Sequence, residues 1–223
     1  MSIEHVQNLI IGSGVAGKIL AWTLASQGQK TVVVERSMVG GSCPNVACLP
    51  SKNVIYSAKS VSLVHPTRGL GVVTGSVRAD MAGVARRKWR MVNELVEMHL
   101  AKYRASGAGL IMGEARFTEP KTVRVTLNAG GTRSLRGERV FINVGTRASI
   151  PDVPGLAATA PMTHVEALNL ERLPDHSSSS AAATSAWNSP RPCGGSAATS
   201  RSSSTARGSS SGKTPTWRTR CWS

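Results

Sequence analysis

Asn8-Leu-Ile-Ile-Gly-Ser-Gly-Val-Ala-Gly17, closed by Thr31-Val-Val-Val-Glu35, sets the architecture. Asn8–Ile11 is a short apolar run that ends at glycine, as a buried parallel strand does. Ile19, Leu20, Thr23 and Leu24 then recur at helical spacing to about Gln27, and Gly28 stops the helix. Thr31–Glu35 is a second buried strand. The result is a β-α-β unit of about 28 residues with Gly12, Gly14 and Gly17 at its first turn. Glycines there permit a tight turn and close approach of a pyrophosphate, and the helix N-terminus offers unpaired N–H groups. Glu35 stands 23 positions after Gly12, where its carboxylate can accept hydrogen bonds from a ribose. The pattern alone does not separate FAD from NAD.

Downstream of this unit, Gly40-Gly41 makes a turn and a helix is expected from near Cys43, through Lys52, to about Ser60. Residues 80–105 read as a long helix with Trp89, Val92, Leu95, Val96 and Leu100 on one face. Strand-like runs follow at Gly109–Met112, Arg116–Thr118, Thr122–Leu127 and Arg139–Val144, with a hairpin turn at Asn128-Ala-Gly-Gly131. Residues 145–175 are punctuated by Pro and Gly and end in a short polar helix. The fold class expected is α/β: a Rossmann-like domain carrying a redox-cysteine helix, a long helix and an antiparallel strand excursion.

The second chemical motif is Gly40-Gly-Ser-Cys43-Pro-Asn-Val-Ala-Cys48-Leu-Pro-Ser-Lys52. Two cysteines five positions apart are close enough for a disulphide across slightly more than one helical turn. A helix N-terminus stabilises a thiolate, and a thiolate beside an easily broken disulphide is what thiol redox chemistry requires. On spacing alone, buried inert cysteines remain an alternative. No further Cys or His pair has zinc-ligand spacing, so no metal site is assigned.

This segment resembles the redox signature of the class I pyridine nucleotide-disulphide oxidoreductases, Gly-Gly-x-Cys-x-Asn-x-x-Cys-x-Pro-Ser-Lys, and it follows the Rossmann unit where that family places it. Val140-Phe-Ile-Asn-Val-Gly145-Thr146-Arg-Ala148, with Pro151 and Val153-Pro-Gly155, resembles the family's second flavin-contacting motif. The pattern is most similar to the mercuric reductase subgroup or the related reactive-chlorine resistance flavoproteins, with dihydrolipoamide dehydrogenase also in the family. The resemblance implies FAD as cofactor and NAD(P)H as co-substrate. It implies Cys43 as the interchange thiol, Cys48 as the charge-transfer thiol and Lys52 as the residue beside the flavin N5. Gly12, Gly14, Gly17 and Glu35 would hold the ADP half of FAD, with Gly41, Ser42, Gly145 and Thr146 also approaching the cofactor. Ala47, Ser42 and Pro44 depart from the commoner Gly, Thr and less turn-prone residues. All three are small or turn-compatible, so the geometry is expected to survive.

Composition changes at His176. Residues 176–223 contain no Val, Ile, Leu, Phe, Met or Tyr, and such a stretch cannot offset its ordering entropy. The expected organisation is therefore an FAD-binding redox-disulphide domain at 1–150, a crossover at 151–175 and a disordered Ser/Ala/Arg-rich tail at 176–223. In the family, the chain after Leu173-Pro174 forms a strand ending in a second Gly-x-Gly-x-x-Gly for NAD(P)H. Back-translation from the third base of codon 176 can read Phe-Leu-Val-Leu-Gly-Gly-Gly-Tyr-Val-Gly-Leu-Glu. The Glu is forced, because Trp187-Asn188 must give GAA. We therefore expect the tail to be a frameshift product and the nicotinamide and dimerisation domains to be lacking. Weak or no FAD retention and no NAD(P)H-driven turnover follow as expectations. Cys193 and Cys221 receive no role.

The net charge of +15 raises the question of a nucleic-acid partner. Of 27 basic residues, six lie in the tail, which holds none of the 12 acidic ones. The cluster Arg86, Arg87, Lys88 and Arg90 reads as a solvated helix face, so no specific nucleic acid is expected. The partners expected are a small-molecule, metal-ion or disulphide substrate and, in the parent family, a second subunit. Glu4 and the interrupting glycines argue against a signal peptide, no stretch is apolar enough to span a bilayer, and the expected compartment is the cytoplasm.

Overall fold

A computed structural model describes residues 2–64, 71, 75–76, 78–174, 176–179 and 199–202. The main body contains β1 (Ile3–Ile11), α1 (Val15–Ser26), β2 (Thr31–Glu35), α2 (Ser42–Asn45), α3 (Cys48–Val64), α4 (Met81–Ser106), β3 (Gly109–Glu119), β4 (Thr122–Leu127) and β5 (Thr132–Ile142). A 3-10 turn at Ala157–Thr159 and α5 (His164–Ala167) follow. The five strands close on themselves in the order β1-β2-β3-β4-β5. β1 pairs in parallel with β2 and β5, and β2 with β3, whereas β3-β4 and β4-β5 are antiparallel.

Side chains alternate across a strand, so the closed sheet makes two cores. Leu9, Ile11, Val32, Val34, Ile111, Val123, Val125 and Leu135 fill one side. Ile10 and Val33 point the other way, to Ala21 of α1 and Tyr103 of α4. Burial on both faces explains why Val32–Val34 run apolar without alternation in the middle of β2.

Several boundaries differ from the sequence reading, each for a non-local reason. β1 starts at Ile3 because Ile3–Val6 pair with Ser134–Gly137. Gly109–Met112 and Arg116–Thr118 are one strand, whose first part pairs with β2 and whose second part pairs with β4. β5 runs from Thr132 to Ile142, seven residues earlier at its start than expected. The hairpin turn lies where it was read, with the Gly130 N–H donating to the Leu127 carbonyl at 3.0 Å.

The redox helix is two helices. A continuous helix would bring the Pro50 ring against the carbonyl of Val46, four residues back, and Pro50 has no N–H to give it. The chain breaks at Val46, with φ −139° and ψ 6°, and restarts at Cys48. Pro50 then sits in the first turn of α3, where a missing N–H costs nothing.

The buried face of α4 also differs. Lys88, Val92, His99 and Tyr103 are buried, while Trp89 is 43% exposed. The basic cluster is accordingly not one solvated face. Arg87 donates to the Asn53 carbonyl at 2.5 Å and to Ser57 Oγ at 2.6 Å, bracing α4 against α3. Lys88 Nζ donates to the Leu168 carbonyl at 2.8 Å and to Asn169 Oδ1 at 2.5 Å. Only Arg86 and Arg90 of the four are exposed.

Lys88 therefore latches the segment after β5, whose α5 carries a capping box of Thr163 and Glu166. Lys88→Met keeps the buried stem and removes both hydrogen bonds. We expect it to cost about 2 kcal/mol, the scale for hydrogen bonds from a charged donor. Hydrogen exchange should accelerate in 156–172 and stay unchanged in β1 and β2; uniform acceleration would contradict the latch.

In the tail, His176–Ser179 and Thr199–Ser202 pair in parallel, apart from the main sheet. The rest of 180–223 lies outside the described residues.

Candidate redox and dinucleotide site

At Gly12 and Gly17 the glycine loop is packed too tightly for a side chain. Gly12 has φ +100°, and a Cβ there would lie 2.2 Å from the Asn143 carbonyl oxygen. A Cβ on Gly17 would lie 2.3 Å from the Gly12 carbonyl oxygen. The loop is clamped by the end of β5: the Asn143 N–H donates to the Ile11 carbonyl at 2.8 Å, and Asn143 Nδ2 lies 3.4 Å from the Gly12 carbonyl. Asn143 lies in the Val140–Ala148 motif, of which only Gly145 and Thr146 were expected at the cofactor. Those two residues are exposed and begin two positions beyond the clamp.

Helix α1 opens directly from this loop. Gly14 is its N-cap, no side chain caps it, and no acidic residue lies in its first turn. The first N–H groups of a helix have no intrahelical partner. Here they stand at an exposed surface, with the helix dipole positive, and can take a phosphate.

Glu35 ends β2 beneath the loop. Its Oε2 accepts from the Ser13 N–H at 2.9 Å and from Ser13 Oγ at 2.7 Å. Its Oε1 accepts from the N–H groups of Ser37 at 2.9 Å and Met38 at 3.1 Å. Burial alone would raise the carboxyl pKa, but the hydrogen bonds from Ser37, Ser13 and Met38 outweigh it and hold the group below its ordinary value. Ser13 Oγ in turn accepts from the Gly40 N–H at 2.9 Å. The serine inside the glycine motif thus ties β1 to the start of the redox segment, a role its sequence position did not announce.

The redox segment docks on the glycine loop. Gly41 has φ +76°, and a Cβ on it would lie 2.6 Å from Gly14 Cα. Asn45 Nδ2 donates to the carbonyls of Gly41 at 2.7 Å and Val39 at 3.1 Å, closing the turn. Cys43 is half-buried in α2 and Cys48 is exposed at the start of α3; both are free thiols. Burial, then the Cys48 thiol, push the Cys43 thiol pKa up, while Lys18 and Lys52 pull it down. Helix α2 has only four residues, so the dipole expected to favour a Cys43 thiolate is nearly absent. The 17-residue α3 offers its N-terminus to Cys48 instead. Ser42 and Lys52 are exposed on either side of the pair.

The geometry thus brings Gly12, Gly14, Gly17, Glu35, Gly41 and the cysteine pair to one edge of the sheet. A family model described as pyridine nucleotide-disulphide oxidoreductase matches residues 6–183. A mercuric reductase of Acidithiobacillus ferrooxidans is 32% identical over 77% of this chain and 32% of its own length. Dihydrolipoamide dehydrogenase of Chaetomium thermophilum is 29% identical over 74% of this chain and 33% of its own. The solved Cu(II) complex of the HOCl-induced flavoprotein disulfide reductase RclA from Escherichia coli superposes with a TM-score of 0.65. It has 29% identity over 81% of this chain and 37% of that one. The chain spans about a third of the length of the curated relatives it matches. Among the described residues, no helix is long and apolar enough to cross a membrane. The matched residues include both glycine-clamped motifs and the cysteine pair, and the chain belongs to the pyridine nucleotide-disulphide oxidoreductase family.

Proposed function

We propose that this chain forms the FAD-binding, redox-disulphide part of an NAD(P)H-dependent flavoprotein oxidoreductase working in the cytoplasm. The observation that supports the reading is the seat of Gly41 on Gly14, which brings the turn before Cys43 against the uncapped N-terminus of α1. The residues fit the cofactor: the glycine cradle leaves no room for a Cβ, and the uncapped α1 terminus suits a pyrophosphate. Gly12, Gly14 and Gly17 would hold the diphosphate, and Glu35 would read the ribose by sharing oxygens that already accept from Ser13, Ser37 and Met38. Gly145 and Thr146, past the Asn143 clamp, would close the same edge, with Ser42 and Lys52 on the cysteine side. When bound, FAD supplies a two-electron relay between a nicotinamide donor and the thiol pair.

Cys43 and Cys48 cycle between dithiol and disulphide. As the S–S bond forms, the two thiols release two protons and two electrons. Cys43 is assigned as the thiol that meets the substrate and Cys48, at the α3 terminus, as the thiol that faces the flavin. A vicinal thiol pair suits a disulphide or a soft metal ion as electron acceptor. The names of the mercuric reductases and of the Cu(II) complex favour the metal-ion class.

The test is titration of the purified chain with excess FAD under anaerobic reduction. We expect saturable quenching of flavin fluorescence and a long-wavelength thiolate-to-flavin absorbance. Cys48→Ser should abolish that band and Cys43→Ser should keep it. FAD binding without the band in the unaltered chain would leave a binding module and refute the redox assignment.

A further inference from the structure

Lys18 and His99 form a buried basic pair that the glycine cradle does not use. Lys18 is 7% exposed and His99 is 5% exposed, and Lys18 Nζ lies 2.8 Å from His99 Nε2. Neither meets a carboxylate among the described residues. Lys18 faces the Trp22 ring at 6.0 Å, and His99 packs on the same ring with centroids 5.7 Å apart. Lys102, from α4, lies over the same indole at 5.1 Å. A buried ammonium with no anion is costly, which raises the question of which negative charge it serves.

The pair sits under the redox segment. A Cβ on Gly40 would lie 2.6 Å from His99 Nδ1 and 3.0 Å from Pro44 Cγ, so the imidazole and the residue following Cys43 both lie against the Gly40 turn. His99 Nδ1 is buried with no hydrogen-bond partner. Two cations 2.8 Å apart would repel strongly, so the pair holds one positive charge. With Lys18 charged, its ammonium donates to His99 Nε2, and His99 carries its own proton on Nδ1. Burial first, and neighbouring cations after it, lower the pKa of His99. Burial likewise lowers that of Lys18, while Cys43 acts on Lys18 in the opposite direction.

We propose that Lys18, held in place by His99, is an electrostatic positioning residue for Cys43: its buried ammonium stabilises the Cys43 thiolate from beneath the redox turn. This role replaces the helix dipole that the four-residue α2 cannot supply. The groups facing Cys43 are Cys48 and Lys52 of α3 and Lys18 of α1. Those facing His99 are Lys18 of α1 and Lys102 of its own helix. The inference rests on the reading of Cys43 as the working thiol.

The experiment is peptide-resolved iodoacetamide labelling of Cys43 in the full chain carrying Cys48→Ser, from about pH 5 to about pH 10. Lys18→Met is expected to raise the labelling midpoint by about one pH unit, roughly tenfold slower labelling near neutrality. Lys18→Arg, which keeps the charge, should stay within about threefold of the parent chain. Should Lys18→Met not fold by circular dichroism, Lys18→Gln is read against Lys18→Arg in the same way. A midpoint that a neutral residue leaves unmoved, or that Lys18→Arg moves as far, overturns the inference. If Cys43 does not label even with Lys18 in place, its reading as the working thiol fails and this inference with it.

Discussion

Gly12→Ala is expected to cost about 4 kcal/mol, a large share of the roughly 5–15 kcal/mol that holds a domain together. Two effects add. The backbone at Gly12 has φ +100°, a region that side-chain-bearing residues rarely adopt. The new methyl would also lie 2.2 Å from the Asn143 carbonyl oxygen and 2.8 Å from its carbon. These are backbone atoms and cannot rotate away. Nor can the strand retreat, because Asn143 N–H is bonded to the Ile11 carbonyl and Ile11 is in register with Ile142. Gly28→Ala is the matched control. Gly28 also has positive φ, +79°, but a Cβ there meets nothing within 4 Å. It should cost only about 1 kcal/mol. Urea midpoints of the two variants separate conformational strain from collision. Equal losses would mean that the glycine loop is not clamped by β5.

The second large effect is at Glu35. Glu35→Ala removes the acceptor for the Ser13, Ser37 and Met38 N–H groups and for the Ser13 hydroxyl. Ser13 is fully buried and cannot be rehydrated cheaply. At about 1–3 kcal/mol for a buried donor left unpaired, and with Ser37 and Met38 open to water, the net loss should be about 3 kcal/mol. FAD affinity should fall as well, because the Ser13 bridge also positions Gly40.

A pH dependence accompanies this network. The folded carboxyl titrates below its ordinary value of 4.5. Its contribution is therefore fully present above pH 4.5 and is lost as pH falls through the folded pKa. His99 acts earlier. Its folded pKa lies below the ordinary 6.5, so the unfolded chain takes up the proton first and stability declines from pH 6.5 downward. Denaturation midpoints measured against pH should show the acid-most loss flattened in Glu35→Gln and retained when His99 is replaced. A Glu35→Gln chain with the parent's full acid profile would place the titrating group elsewhere.

Features that rest on near neighbours along the chain were legible in the amino-acid order. A strand ending at Gly12, a helix opening at Gly14 and a second strand ending at Glu35 follow from periodicity and turn chemistry, and they are where the pattern placed them. So is the hairpin at Asn128–Gly131. Pro50 even carried the signal for the break between α2 and α3, since a proline forbids helix four residues back. Features that depend on distant partners emerged only in the folded chain. Gly113 is interior to β3 because that strand meets β2 at one end and β4 at the other. Lys88 is buried because the carbonyl of Leu168 and the side chain of Asn169, some eighty residues away in sequence, accept its protons. Asn143 became the clamp of the glycine loop only when β5 lay beside β1. Lys18 and His99, which look like unrelated helix residues 81 positions apart, became a pair when α1 and α4 packed on the same face of the sheet. Backbone turns are written in local sterics, whereas burial of a charge is set by what another part of the chain brings to it.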